Sequence, residues 1–99
     1  MKIIDSHIKE VNEICKQYGV KSLFVFGSAA NDSMNAESDV DLLVEFNTND
    51  PLIYADNYFG LKFGLHDILK LDIDLLETKA LTNPFLMKQI NNTKVLVYG

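Results

Sequence analysis

Three things are scarce in this 99-residue chain, and each scarcity excludes a class of answer. There is one cysteine, Cys15, so neither an intramolecular disulfide nor a multi-cysteine zinc site can form. No apolar run approaches the ~20 residues that cross a bilayer, and the amino terminus turns polar too soon for a secretory leader. The expected address is the cytoplasm, with no membrane partner. Cationic side chains are also few: nine Lys and Arg stand against fourteen Asp and Glu, a net charge of -5. Phosphate backbones are gripped by basic patches, so a broad nucleic-acid-binding face is not expected.

What is present is the material of a folded domain: hydrophobic residues make up 47% and charged residues 23% of the chain. A chain of this length hides somewhat over ~60% of the surface its unfolded form exposes. That predicts a single domain over residues 1–99, without room for a separate substrate-binding unit, so its substrate arrives as another macromolecule or docks on an open face.

Ile4, Ile8, Val11, Ile14, Cys15 and Tyr18 recur at steps of three and four, which predicts an amphipathic helix over 2–18 closed by Gly19. Cys15 on that stripe reads as a small buried thiol. The apolar run Leu23 to Phe26 predicts a strand over 21–26, followed by a Gly27-Ser28 turn and a short helix over 29–34. Residues 39–46 alternate, with Val40, Leu42, Val44 and Phe46 opposite Asp39, Asp41, Leu43 and Glu45. Asp50 and Pro51 open a helix over 52–70. Its Gly60 and Gly64 each cost about 1 kcal/mol relative to alanine and leave a bare strip suited to another backbone or a partner. Residues 71–76 alternate again, Thr82 or Asn83 caps a helix over 84–92, and 94–98 is a short final strand or an extended end. The fold class is α/β (α+β), a small mixed β-sheet flanked by helices.

Asp39 and Asp41, two apart on a strand, project from one face and can share one metal site; magnesium suits such a pair because it takes one or two carboxylates and fills its shell with water and phosphate oxygens. The plainer reading is a solvent-facing strand start. Gly27-Ser28 shifts the balance, because glycine lets backbone approach a ligand and the following amides with the Ser28 hydroxyl make an anion seat. Both features in one strand-turn-strand unit propose a grip on a nucleoside triphosphate. Asp74 lies among apolar neighbours and needs a partner or a metal; Asp72, on the same face, competes with it for the role of third carboxylate.

The run Gly27-Ser28, then Ser38-Asp39-Val40-Asp41-Leu42-Leu43-Val44, resembles the nucleotidyltransferase fold of the DNA polymerase beta superfamily. Within it, the chain is most similar to the minimal nucleotidyltransferase (MNT) antitoxins encoded beside HEPN toxins. The resemblance extends over about residues 20–98 and takes in Asn57 to Lys62, Ile73 to Leu76 and Asn83 to Leu86. It implies that Gly27 and Ser28 bind the nucleotide, that Asp39 and Asp41 hold Mg2+, and that Asp74 is the third metal-binding and catalytic carboxylate. Ser38, which can cap the strand turn or position Asp39, is a further candidate for nucleotide binding. The implied activity is transfer of AMP from ATP to a hydroxyl, a tyrosine of a cognate HEPN ribonuclease toxin, with release of pyrophosphate. ATP is then the substrate, Mg2+ the cofactor, and a hetero-oligomer with the toxin the working assembly.

One departure stands inside the motif. Family members often continue Gly-Ser-x-Ala-Arg-Gly, whereas Asn31 and Asp32 occupy the last two positions here. Losing the arginine removes a charge-assisted phosphate contact. The competing reading is an antitoxin that neutralises its toxin by binding and occlusion alone. A free-standing antibiotic-modifying nucleotidyltransferase fits poorly, since those enzymes carry additional substrate-binding structure. His7 and His66 read as surface or boundary residues, Lys62 as a helix-surface lysine within reach of a phosphate, and Glu45 and Glu77 as solvated strand ends. Tyr54 and Tyr58 read as core-facing or, alternatively, with hydroxyls bordering the active cleft or a partner interface.

Overall fold

A computed structural model describes residues 2–30 and 39–99. Its helices are α1 (Lys2–Asp5), α2 (Ile8–Gln17), α3 (Pro51–Leu69) and α4 (Pro84–Thr93); its strands are β1 (Val20–Phe26), β2 (Val40–Phe46), β3 (Ile73–Glu77) and β4 (Val95–Tyr98). The strands form one sheet in the order β3-β2-β1-β4. β1 runs antiparallel to β2 and to β4, whereas β2 and β3 are parallel. A parallel pair needs a crossover, and the 19 residues of α3 supply it.

Alternation assigns the two faces of the sheet. Val40, Leu42 and Val44 of β2 bury fully with Leu23 and Val25 of β1 and Leu75 of β3, under Val11 and Cys15 of α2 and Leu61, Leu65 and Leu69 of α3. Burial pushes the Cys15 thiol up to about 12, which keeps it neutral, as the helical stripe predicts. The opposite face is thinly covered: Leu43 of β2 and Ile90 of α4 are buried outside that main cluster. The mixed sheet flanked by helices is therefore present, with nearly all of its core on one side.

Local chemistry sets the element ends. The Asp50 side chain accepts hydrogen bonds from the amides of Leu52 at 3.0 Å and Ile53 at 3.5 Å, and Pro51 fills the first turn of α3. α3 closes on Lys70 in the left-handed region, φ 58°. Asn83 caps α4 in the same way, at 3.0 and 3.3 Å to the amides of Phe85 and Leu86.

Two expectations change. The amino-terminal helix breaks after Asp5: the Ser6 amide and hydroxyl both donate to the Lys2 carbonyl, the His7 amide then tightens to the Ile4 carbonyl three residues back, and the chain restarts as α2. The Gly60–Gly64 strip is filled from within the chain: a Cβ on Gly60 would meet the Tyr18 ring, and one on Gly64 the Ile14 side chain, so α2 occupies the space. The exposed apolar residues of α3 lie elsewhere, at Leu52, Ile53, Phe59 and Phe63.

Candidate active site

The register of the sheet assembles the site. Asp41 is the second residue of β2 and pairs with Asp74, the second residue of the parallel strand β3. On its other side Asp41 pairs with Phe26, the last residue of β1, so the turn that begins at Gly27 lies beside the same carboxylate. The Val40 amide donates to the Asp72 carbonyl at 2.9 Å and locks this parallel register. Asp41 and Asp74 thus share the thinly covered face at one end of the sheet, with Asp39 exposed immediately ahead of β2.

Gly27 has φ +69°, a conformation that L side chains rarely adopt, and a Cβ placed there would stand 2.6 Å from Asp41 Oδ2. The turn and the carboxylate are fitted to each other. Gly27 to Ala29 form a single 3-10 turn, with the Ala30 amide donating to the Gly27 carbonyl at 3.2 Å. Ser28 is half-buried within it. The short helix expected over 29–34 falls mostly outside the described residues, as do Asn31, Asp32 and Ser38.

The electrostatics are those of crowded carboxylates. Burial raises the Asp41 carboxyl above its ordinary value, and the charge of Asp74, a hydrogen bond between the two side chains and the charge of Asp39 raise it further. Among the described residues, no three His, Cys, Asp or Glu side chains converge at metal-ligating geometry. The donor set is nonetheless the one a hard cation takes, oxygen ligands alone, and their mutual repulsion is what a divalent ion would relieve.

Asp72 separates from Asp74. It lies outside β3, with its carboxylate 3.9 Å from His66 Nδ1, and lines a cavity of about 400 Å3 with Lys62 and His66. Tyr54 and Tyr58 are half-buried against the core; the Tyr58 hydroxyl donates to the Leu75 carbonyl at 2.7 Å. Together with Glu77 and Lys79 they line a separate cavity of about 530 Å3. Burial, then the Glu77 carboxylate, push the Tyr54 hydroxyl up to about 12.

A third cavity, of about 540 Å3, opens directly on the site: Phe26, Gly27 and Asp41 form one wall and α4 the other. Gln89, Asn92 and Thr93 reach it from α4. Nothing in the sequence pattern singles these residues out, because a polar helix face reads as solvated until the fold sets it against something. Among the described residues no helix is long and apolar enough to cross a membrane.

The profile of the family described as Polymerase beta, Nucleotidyltransferase matches residues 9–99. A candidate protein adenylyltransferase of Methanocaldococcus jannaschii is 37% identical over 97 residues, spanning 93% of this chain and 96% of its own. The solved structure of a candidate minimal nucleotidyltransferase superposes with a TM-score of 0.78 at 26% identity, over 95% of this chain and 92% of that one. A chain from the Shewanella oneidensis complex of a tri-AMPylated HEPN toxin with an MNT antitoxin superposes at 0.65, with 17% identity, over 96% of this chain and 71% of that one.

Proposed function

The chain belongs to the polymerase beta nucleotidyltransferase family, and from that membership and the carboxylate geometry we propose that it is an antitoxin adenylyltransferase. It transfers AMP from ATP to a hydroxyl, tyrosine by resemblance, on a cognate HEPN ribonuclease toxin and thereby neutralises it. The observation that carries the reading is the Asp41–Asp74 pair in register beside a glycine whose missing side chain makes room for the Asp41 carboxylate. The relative named an adenylyltransferase and the neighbouring complex with an AMPylated toxin support the reaction and the partner. Phe59 and Phe63, exposed and stacked with centroids 6.1 Å apart on α3, support a protein partner, since exposed apolar patches mark interaction sites.

In this mechanism the Gly27 turn, the Ser28 hydroxyl and Ser38 seat the triphosphate. Asp39, Asp41 and Asp74 would hold Mg2+, which when bound neutralises charge on the phosphates. The acceptor oxygen forms a bond to the α-phosphorus as the bond from that phosphorus to the bridging oxygen breaks, and pyrophosphate leaves. The hydroxyl proton passes to Asp74, whose carboxylate is exposed to an incoming acceptor. Most of the acceleration comes from positioning the in-line attack, which the fixed β2–β3 register favours.

The test is an intact-mass measurement on the proposed partner, a separately purified cognate HEPN protein, after incubation with the chain, ATP and magnesium. Mass increments of whole AMP groups are expected, and they disappear with Asp41→Asn or Asp74→Asn. A tight complex that neutralises the toxin with no mass change, and does so equally in both variants, would replace the enzyme with an antitoxin acting by occlusion. That second reading draws on the absence of arginine anywhere in the chain, which leaves the phosphates without a bidentate cationic partner from this protein.

A further inference from the structure

We infer that the cleft between Phe26 and α4 seats the purine ring of the nucleotide, and that the Gln89 and Asn92 side chains select adenine over guanine. This rests on the nucleotidyltransferase reading and specifies the substrate of the same site. The cleft is continuous with the proposed phosphate and metal residues, because Gly27 and Asp41 belong to its wall. Its volume, about 540 Å3, falls within the range of small-molecule pockets. Phe26 on one side, with Leu86 and the fully buried Ile90 on the other, supplies the apolar walls that a flat aromatic base needs. Leu86 remains 36% exposed without a ligand, surface that a seated base would cover.

The polar groups decide which base. A side-chain amide presents a donor and an acceptor together, the pattern that matches N6 and N7 of adenine; on the corresponding N7 edge guanine offers two acceptors, O6 and N7, which are best met by arginine or lysine. Among the described residues no lysine lines this cleft, and the chain has no arginine. Gln89 and Asn92, three residues apart on one helix face, both reach it.

The experiment measures dissociation constants by calorimetry for ATP, GTP and inorganic tripolyphosphate, each with magnesium, on the wild-type chain and a Gln89→Ala/Asn92→Ala variant. Both side chains are exposed, so the variant is expected to melt with the wild type. The wild type should prefer ATP to GTP by roughly tenfold or more. The double variant should lose about tenfold in ATP affinity, bring the ATP-to-GTP ratio close to one, and hold tripolyphosphate within about twofold of the wild type. ATP affinity unchanged in the variant, or tripolyphosphate weakened as much as ATP, overturns the assignment of α4 to the base. A wild-type chain that binds tripolyphosphate and GTP as well as ATP also overturns it, while leaving the phosphate site intact. Binding of none of the three overturns the nucleotidyltransferase reading itself, and this inference with it.

Discussion

Replacing Asp41 with asparagine removes a carboxylate whose ionisation is opposed by burial, by Asp74 and by Asp39. The folded chain holds the Asp41 proton more tightly than the ordinary value of 3.8 allows, so between the two values it binds more protons than the unfolded chain does. Stability contributed at this position therefore falls as pH rises through that window. Asp41→Asn should melt higher than the wild type near neutral pH and level with it well below 3.8, while transfer drops by about 10²–10³-fold. Thermal melts at both pH values check the first part, and an asparagine variant that melts lower at neutral pH would show that repulsion does not govern the site. Gly27→Ala acts in the opposite sense. Its φ of +69° strains any L side chain, and the new Cβ intrudes on Asp41 Oδ2, so a loss of about 1–3 kcal/mol in urea unfolding is expected together with impaired transfer.

Among the elements, α3 sets two opposing magnitudes against each other. Alanine at Gly60 or Gly64 gains about 1 kcal/mol of helix propensity. At Gly64 the obstacle is chiefly the terminal methyl of Ile14, which can rotate aside, so Gly64→Ala should unfold within about 0.5 kcal/mol of the wild type. At Gly60 three atoms of the Tyr18 ring stand in the way, and Gly60→Ala should lose about 1–2 kcal/mol despite its better propensity. Denaturant midpoints for the pair separate the two cases. The glycines were visible in the sequence, but their neighbour was not, since helical spacing shows a bare strip without naming what fills it. Strands and capped helices were legible for local reasons: alternation at Val40–Phe46, and Asp50-Pro51 or Asn83-Pro84 as start signals. The pairing of Asp41 with Asp74 was not legible, because a parallel register is fixed through the whole of α3 and by the Val40 amide on the Asp72 carbonyl. Both aspartates could be named as candidates; only the fold sets Asp72 against His66 instead. The polar residues that α4 turns to the cleft, Gln89, Asn92 and Thr93, left no sequence signal.

At the scale of the whole molecule, charge governs association. A chain of net charge -5 that contains no arginine is complementary to a cationic surface, and the proposed toxin partner is expected to present one. Complex formation with the proposed HEPN partner should be faster at low ionic strength, and raising salt from about 50 to about 500 mM should slow association more than it speeds dissociation. Stopped-flow mixing across that range is the check, and salt-independent association would place the apolar patch on α3 ahead of charge. The two faces of the sheet also differ in how they come apart. The main core holds β1 and β2 under α2 and α3, whereas α4 commits one side chain, Ile90, to the interior. Amide hydrogens of β1 and β2 should therefore exchange with solvent only through global unfolding, and those of α4 by a lower-energy local opening. If α4 can detach while the sheet stays intact, the wall beside Asp41 becomes a hinged door, and the pace at which spent nucleotide escapes is set by a helix that the core scarcely holds.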